Sequence, residues 1–206
     1  GNTIASKKNK GREEMTKREF FRKYLNIDDG KILDEMERHS EVWTVKKREI
    51  IMQEGETVTD IPFLISGVLK AYYHDSHGVE KVYCFAYRPG DHAASIKDIY
   101  GDVKAMCTVE AVQESELCYI SLPVLQKLIQ KEPAIRMTYE TLLTASIAGM
   151  VEHEKVIASG SPSERYAWFR EKYHEIESEI SRKDIASYLN MTPEHLSRIT
   201  RNGKES

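Results

Sequence analysis

Long apolar runs, the mark of membrane-spanning chains, are missing from this sequence. No run approaches the roughly eighteen residues that a transmembrane helix needs, and no signal-peptide segment is recognisable. Charge of one sign is not in excess either, since 30 basic residues face 33 acidic ones and the formal net charge is −3. We therefore expect no membrane partner and no export, with the cytoplasm as the default location.

Cysteine is scarce, and its spacing does not fit a metal site. The three cysteines, Cys84, Cys107 and Cys118, form neither the Cys-x-x-Cys pairs of zinc sites nor the clusters of iron–sulfur proteins. Each is flanked by strand-like sequence, so we expect buried thiols, with redox sensing as the alternative. No cofactor and no bound metal are predicted.

The residue patterns of common enzyme classes are also absent. The sequence has no recognisable pair of catalytic carboxylates, no nucleophile with a base and no glycine-rich phosphate loop. One rival remains, a cupin-type metalloenzyme, for which His74, His77, His92 and Glu80 are the candidate ligands. His74 and His77 fall in a predicted hairpin turn, where a spacing of three does not bring two imidazoles together. The protein is therefore not expected to be an enzyme.

A change in apolar spacing near residue 42 marks the start of a β-rich region, after two short helices at 17–24 and 31–39. Its segments are short, rich in β-branched or aromatic residues, and separated by turn sequences such as Ser66-Gly67. Strands are predicted at 49–53, 63–65, 68–74, 80–87, 105–112 and 116–121. Strands this short at near-regular spacing predict a jelly roll or a similar closed β architecture.

From Pro123 the apolar spacing becomes helical. A helix at 122–131 is followed by a long one at 134–157, which ends at a Ser-Gly-Ser-Pro-Ser hinge. An imperfect seam along the long helix repeats at alternating spacings of four and three: Tyr139, Leu143, Ser146, Met150, His153 and Ile157. Such a helix either covers the β-region or pairs with a second copy of itself. We favour the pairing, because the helix is longer than the region it could cover.

The segment 182–201, RKDIASYLNMTPEHLSRITR, has the pattern of a helix-turn-helix. Its apolar positions fall on one face of each of two short helices: Ile185, Ala186, Leu189, Met191, Leu196 and Ile199. Asn190 occupies the turn position that needs a left-handed backbone. Thr192 is expected to cap the second helix, with Pro193 in its first turn.

The second of these helices turns a polar face outward, made of Thr192, Glu194, His195, Ser197, Arg198 and Arg201. This face suits the major groove of double-stranded DNA, where Arg198 can bind a guanine through two hydrogen bonds and Glu194 can accept one from a cytosine. Lys183 is expected to contact phosphate. The alternative is ordinary helix packing. Five basic residues against three acids give 181–206 a net charge of only +2, a weak footprint for DNA that a dimer would double.

Taken in order, the helices, β-roll, long helix, hinge and helix-turn-helix resemble the Crp/Fnr (catabolite activator) superfamily of bacterial transcription regulators. The resemblance covers 41–201 and is most specific at Gly55-Glu56, at 65–69 (ISGVL), at 88–91 (RPGD), at Ile120-Ser121 and at 182–201. It implies an α+β fold with an N-terminal cyclic-nucleotide-binding-like β-roll (jelly roll), a long dimerisation helix and a C-terminal helix-turn-helix (winged-helix-like) domain. The implied divisions are an N-terminal tail with helices at 1–40, the β-roll at 41–133, the dimerisation helix at 134–159 and the DNA-binding domain at 160–206.

The resemblance also implies a homodimer that binds a palindromic operator, with an effector in the roll reorienting the two DNA-binding domains. The base-contacting positions of the family fall on Pro193, Glu194 and Arg198. Glu194 and Arg198 match the family pattern. Pro193 departs from it, since many relatives have a basic or polar residue there, and one direct base contact is lost.

The effector site departs further from the family. Cyclic-nucleotide binders of this kind carry Gly-Glu-Leu for the ribose and Arg-Ser-Ala for the cyclic phosphate, where this chain has Ala94-Ser95-Ile96 and Ala105-Met106-Cys107. Without the arginine there is no charge-assisted hydrogen bond to phosphate, and Lys104 lies one residue out of register. We therefore expect no cyclic-nucleotide binding, although an unknown small-molecule effector stays open. The residues expected around this pocket are Tyr83, Phe85, Ser95, Ile96, Lys104, Met106 and Cys107.

A second alternative function is a protein with the same fold that does not bind DNA. The low basic charge of the C-terminal region would allow a small-molecule sensor that acts through protein partners. Binding of promoter DNA that depends on salt would exclude this reading.

Overall fold

The computed structural model describes residues 15–92, 99–100 and 103–202. Within these residues the chain forms seven helices and seven strands. In chain order they are α1 (Lys17–Leu25), α2 (Gly30–Arg38), β1 (Ser40–Val45), β2 (Ile50–Met52), β3 (Asp60–Ser66), β4 (Leu69–His74), β5 (Glu80–Ala86), β6 (Thr108–Ala111), β7 (Ser115–Ser121), α3 (Leu122–Lys131), α4 (Pro133–Ser159), α5 (Pro162–Tyr173), α6 (Arg182–Tyr188) and α7 (Pro193–Asn202).

Two antiparallel sheets form a β-roll. The first has the strand order β1-β7-β3 and the second the order β2-β6-β4-β5. In the first sheet Ser40 lies opposite Ile120, which sets the register of β1 against β7. The two sheets share one apolar core, in which Leu64, Leu117 and Ala71 are fully buried. The α+β fold with a jelly roll, predicted from the sequence, is confirmed.

The strand β1 has no counterpart in the sequence prediction, because its side chains alternate poorly. Only Ser40 and Val45 are buried along it, while Trp43 is 57% exposed. Backbone pairing with β7 holds this strand in place. In the second sheet, β6 is shorter than the predicted 105–112, since the backbone N–H of Ala105 donates to the carbonyl of Glu56 outside the sheet.

The helix α4 is the longest element, 27 residues or about 40 Å. It packs against α3 at its beginning, where Ile135 is its one buried residue. Gly160 follows the last turn of α4, and α5 begins directly after it with a capping box. Here the Ser161 N–H donates to Glu164 Oε2 at 2.7 Å, and the Glu164 N–H donates to Ser161 Oγ at 3.4 Å.

The last three helices pack on the second sheet, on the face that points away from the interior of the roll. Their contact forms a second apolar core, separate from that of the roll. Its buried members are Val68, Tyr72, Val82, Phe85 and Val112 from the roll, and Phe169, Tyr173, Ile176, Ile180, Ile185, Ala186, Tyr188, Leu189 and Leu196 from the C-terminal part.

Candidate nucleic-acid interface

The turn between α6 and α7 has a left-handed residue at its centre. Asn190 has φ +51°, its N–H donates to the carbonyl of Ser187 at 3.1 Å, and the next N–H, that of Met191, donates to Ala186 at 3.0 Å. These two bonds satisfy carbonyls in the last turn of α6, where the helix itself supplies too few N–H donors. Asparagine tolerates this backbone better than other residues with a side chain. The left-handed backbone that the sequence predicted at Asn190 is confirmed.

Thr192 caps the start of α7. Its hydroxyl accepts from the N–H of His195 at 3.2 Å, and its carbonyl accepts from Leu196 at 3.0 Å. Pro193 is the first residue of the helix, where a missing N–H costs no hydrogen bond. The cap predicted from the sequence is confirmed. Ala186, Leu189 and Leu196 are fully buried between the two helices and fix their crossing.

The outer face of α7 is open to solvent. The exposed residues on it and just before it are those predicted for DNA contact: Thr192, Pro193, Glu194, Ser197, Arg198 and Arg201. His195, expected to point outward, is half-buried instead. The helix therefore presents a polar strip with two arginines, and nothing in the described part of the chain covers it.

The beginning of α6 supplies further positive charge beside this strip. Ser181 caps the helix by accepting from the N–H of Asp184 at 3.1 Å, and Lys183 is exposed. Arg182 donates to the hydroxyl of Thr200 at 2.6 Å and so ties α6 to α7. The helix N-terminus and Lys183 together form the kind of surface that contacts DNA phosphate.

Arg165 positions the turn, and sequence reasoning missed it. Its Nε donates to the carbonyl of Gly160 at 2.9 Å, and its Nη1 lies 3.2 Å from the carbonyl of Leu189 and 3.4 Å from that of Asn190. A cation at the C-terminal end of α6 also interacts favourably with the helix dipole. One side chain thus joins the hinge to the turn before α7. No local pattern marks it, because its partners lie 24 and 25 residues further along the chain.

Three of the described residues predicted around an effector pocket do not face the interior of the roll. Lys104 is exposed, and its Nζ donates to Thr57 Oγ1 at 2.6 Å instead of pointing into the roll. Met106 is 53% exposed. Phe85 faces the C-terminal helices, in the second core, and was wrongly assigned to the pocket. Ser95 and Ile96 lie outside the described residues.

The remaining described pocket residues belong to the core of the roll or to its edge. Cys107 is buried in the core of the roll, and Tyr83 and Cys84 pack against that core from its edge. Burial raises the pKa of the Cys84 thiol to about 12, and burial does the same for Cys118. These two thiols stay protonated near neutral pH, so they are poor nucleophiles for redox sensing.

The apolar surface of α4 differs from the predicted seam. Tyr139 packs against the core of the roll, His153 is half-buried against the C-terminal helices, and Ile157 is half-buried. Ser146 is exposed and donates to the carbonyl of Leu142 at 2.9 Å. The large apolar side chains of α4 that are exposed form a strip on a face of the helix that only partly overlaps the predicted seam. They are Met137, Leu143, Ile147, Met150 and Val151, which are between 46 and 65% exposed.

His153 lies at the junction of α4 with the C-terminal helices. Its Nε2 lies 2.8 Å from the carbonyl of Tyr188, and its ring stacks on that of Tyr188 with centroids 4.2 Å apart. Because a carbonyl only accepts, Nε2 carries the proton of the neutral ring. Burial lowers the pKa of His153, and the bond to Tyr188 opposes this shift only in part. The side chain thus makes its described contacts within one chain, with Tyr188, whereas the sequence prediction placed it in the dimer seam.

Three of the four candidate metal ligands are engaged elsewhere. Glu80 pairs with Lys70 at 3.0 Å, the ring of His74 packs edge-on against Tyr72, and the ring of His92 packs against Phe63. Among the described residues, no three His, Cys, Asp or Glu side chains lie close enough together to hold a metal ion. None of the helices in the described part of the chain is both long and apolar enough to span a membrane.

Comparison with known proteins gives matches to the roll and to most of the chain. Residues 42–132 match the model of the cyclic nucleotide-binding domain. The regulatory protein HlyX of Actinobacillus pleuropneumoniae is 28% identical over 166 residues, which cover 75% of this chain and 68% of HlyX. The fumarate and nitrate reduction regulatory protein of Vibrio cholerae is 25% identical over 166 residues, covering 75% of this chain and 65% of that protein. For several of the relatives found, the matched part of this chain covers less than two thirds of the relative's own length.

Solved structures share the fold over most of the chain. A transcriptional regulator of the crp/fnr family from Eubacterium rectale superposes with a TM-score of 0.73 at 19% identity, covering 88% of this chain and 86% of that one. FixK2 from Bradyrhizobium japonicum superposes with a TM-score of 0.70 at 19% identity, covering 79 and 83%. The order of roll, long helix and C-terminal helices is therefore the same in these proteins.

Proposed function

Because the chain belongs to the Crp/Fnr superfamily of bacterial transcription regulators, and is thus a regulator and not an enzyme, we propose that it acts as a homodimer on a palindromic operator in the cytoplasm. Each subunit places α7 in the major groove of one half-site. The observation that carries this proposal is the exposed strip of α7, with Arg198 at its centre and a capped, rigid turn behind it.

Three exposed basic side chains lie where a DNA-binding surface needs them. Arg198 and Arg201 stand on the outer face of α7, and Lys183 stands at the beginning of α6. The arginines are suited to base edges and phosphate, and Lys183 to phosphate alone. Glu194 adds an acceptor for a cytosine amino group. Pro193, which offers no side-chain donor, is assigned to apolar contact only.

The exposed apolar strip of α4 supports the dimer. Leu143, Ile147 and Met150 form a half-exposed apolar surface on one side of α4, at whose edge the hydroxyl of Tyr83 donates to Met150 Sδ at 3.2 Å. A second α4 packed against this strip would remove the apolar side chains from water, which is the main favourable term in helix pairing. Two subunits also double the modest positive charge beside DNA.

The roll supports sensing of something other than a cyclic nucleotide. Lys104, which lies one residue out of register with the phosphate-binding arginine of the family, is bonded to Thr57 on the surface. Ala105 and Cys107 are buried among apolar side chains of the roll, and neither side chain offers phosphate a charge-assisted hydrogen bond. We assign the roll no cofactor and leave its effector as an unidentified small molecule.

Selection of DNA from a random double-stranded library tests the proposal. We expect the protein to enrich two inverted half-sites with centres about one helical turn apart, and to bind them with an affinity that falls steeply with salt. Enrichment of a single, unrepeated site would contradict the dimer. The absence of any salt-dependent binding would reject operator recognition and favour the sensor that acts through protein partners.

A further inference from the structure

The outer face of the second sheet holds the first helix of the helix-turn-helix. Strands β4 and β5 carry Tyr72, Val82 and Phe85 on this face, and Ile185 and Tyr188 of α6 pack against them. The strands belong to the effector half of the chain and α6 to the half that binds DNA. Their contact therefore sets how the two halves are oriented.

A buried lysine lies at the centre of this contact. The side chain of Lys70, in β4, is 8% exposed, and its Nζ lies 3.1 Å from Asp184 Oδ1 in α6, 3.0 Å from Glu80 Oε1 and 3.7 Å from Glu110 Oε1. Burial acts to lower the pKa of Lys70, but the carboxylates of Asp184, Glu80 and Glu110 outweigh burial and raise the pKa. The ammonium is therefore charged at neutral pH and joins the two halves through Asp184.

Ser187, one helical turn beyond Asp184, bonds the backbone of β5. Its hydroxyl accepts from the N–H of Val82 at 2.9 Å and donates to the carbonyl of Glu80 at 3.1 Å. In the part of the chain that the structure describes, β5 is the last strand of its sheet, so this edge has no further strand to pair with. Ser187 supplies the hydrogen bonds that a partner strand would make at this edge, and so fixes the position of α6 along β5.

Aromatic rings close the contact on its other side. The ring centroid of Phe85 lies 5.3 Å from that of Tyr188 and 5.7 Å from that of Tyr173. Tyr188 also stacks on His153 of α4. The helix α6 is thus held by charge, by hydrogen bonds and by packing, while the outer face of α7 stays exposed.

We propose that Lys70 and Asp184 are positioning residues for operator recognition, which fix α6 on the sheet and so set the separation of the two recognition helices in a dimer. The inference rests on the proposed function. A rigid separation makes binding selective for the spacing between half-sites, because a mismatched spacing forces one helix out of its groove or requires the contact with the sheet to break.

The first arm of the test needs no DNA. The amide of Val82 bonds to Ser187 only while α6 is docked, so its hydrogen exchange reports docking directly. In Asp184→Asn, Lys70 keeps Glu80 and Glu110, and we expect exchange at Val82 to be about tenfold faster than in the wild type. The control is Glu177→Gln, which removes an ion pair with Arg170 inside the C-terminal half and should leave Val82 protected.

The second arm compares two operators, one with the selected spacing and one with two base pairs inserted between the half-sites. We expect the wild type to discriminate between them about tenfold or more, and Asp184→Asn to lose most of this ratio while its affinity for a single half-site stays unchanged. The Glu177→Gln variant should discriminate like the wild type. Should Asp184→Asn fail to fold, Ser187→Ala removes the edge bonds without changing charge and is expected to reduce the ratio in the same way.

Equal exchange at Val82 in the wild type and Asp184→Asn would overturn the inference, as would faster exchange with an unchanged spacing ratio. A gain in affinity for both operators would also overturn it, because the contact would then restrain DNA binding. A wild type that keeps Val82 protected but binds no DNA would reject the proposed function. A wild type that keeps Val82 protected and binds both operators equally well would reject only the positioning role of Lys70 and Asp184.

Discussion

Arg198 is the residue on which sequence recognition most depends. It is exposed on α7 between the buried Leu196 and the half-buried Ile199, so its side chain points away from the helix-turn-helix core. We expect Arg198→Ala to lose about 1–3 kcal/mol for the selected operator and to relax specificity at one base pair in each half-site. Titration of a series of base-substituted operators at fixed salt measures both effects.

Lys183 provides the matched control for Arg198. Because Lys183 lies at the beginning of α6 and contacts phosphate in the proposed complex, Lys183→Ala should weaken all sequences alike and reduce the salt slope by about one. If Arg198→Ala weakened every sequence equally, Arg198 would be a phosphate contact and the proposed orientation of α7 in the groove would be wrong.

His153 should make the docked arrangement sensitive to acid. Its folded pKa lies below the usual 6.5, so the unfolded chain binds a proton first as the pH falls, and stability is lost from about pH 6.5 downward. We expect His153→Gln, whose amide can still donate to Tyr188, to lose less stability than the wild type between about pH 7.5 and pH 5.5. Denaturant unfolding at the two pH values measures the difference. The exposed His174→Gln should behave like the wild type, and an unchanged slope in His153→Gln would contradict the assignment.

Local patterns predicted the residues whose role depends on their neighbours in the chain. The left-handed backbone at Asn190 and the cap by Thr192 follow from turn and helix chemistry within four residues. Arg165 and His153 act on carbonyls 24 to 35 residues away, and no pattern in the sequence marks such pairs. Phe85 was assigned to the wrong face of its strand. Because both faces of β5 are covered by protein, its apolar residues do not show which face meets the interior of the roll.

At the scale of elements, α4 carries the test of the dimer. We expect Leu143→Asp combined with Met150→Asp to halve the mass measured by light scattering and to abolish operator binding, because two charges would enter the apolar contact. Both side chains are about half exposed in the single chain, so folding of the subunit should survive.

The control for this variant lies on the same helix. Ala145 is exposed on the side of α4 opposite to Leu143, so Ala145→Asp adds charge without entering the proposed contact. It should leave the dimer intact. A doubly substituted protein of unchanged mass would show that the exposed strip is not the dimer surface.

The helices were predicted better than the strands. A helix has a regular apolar spacing and end signals that lie within one segment, as in the cap by Thr192 and the Pro193 at the beginning of α7. The strand β1 depends on its pairing with β7, some eighty residues further on, and its own side chains alternate too weakly to reveal it.

At the scale of the whole molecule, the roll should not respond to cyclic nucleotides. We expect no saturable heat with cyclic AMP or cyclic GMP at about 1 mM, a concentration that corresponds to only ~4 kcal/mol of binding free energy. The physical reason is that Lys104 points to Thr57 and that Ala105 and Cys107 are buried in the roll. Calorimetry measures this, and micromolar binding of either nucleotide would contradict it.

The arrangement of the two halves could not be predicted at all. Each half has a sequence pattern of its own, but their contact joins Lys70 to Asp184, 114 residues apart. Seen from the sequence, Lys70 is an ordinary polar residue in a strand and Asp184 an ordinary acid in the first turn of a helix. Only the fold places them together, and both are buried there.

The bonds between Ser187 and β5 have a consequence for how this molecule fails. If α6 leaves the sheet while the roll stays folded, the N–H of Val82 and the carbonyl of Glu80 face water along the outer edge of β5 (EKVYCFA), which pairs with β4 on its other side. An open edge of this kind is a template on which another chain can add a strand. Damage to the docked helix would therefore appear first as aggregation of molecules whose rolls are still intact, well before the roll itself unfolds.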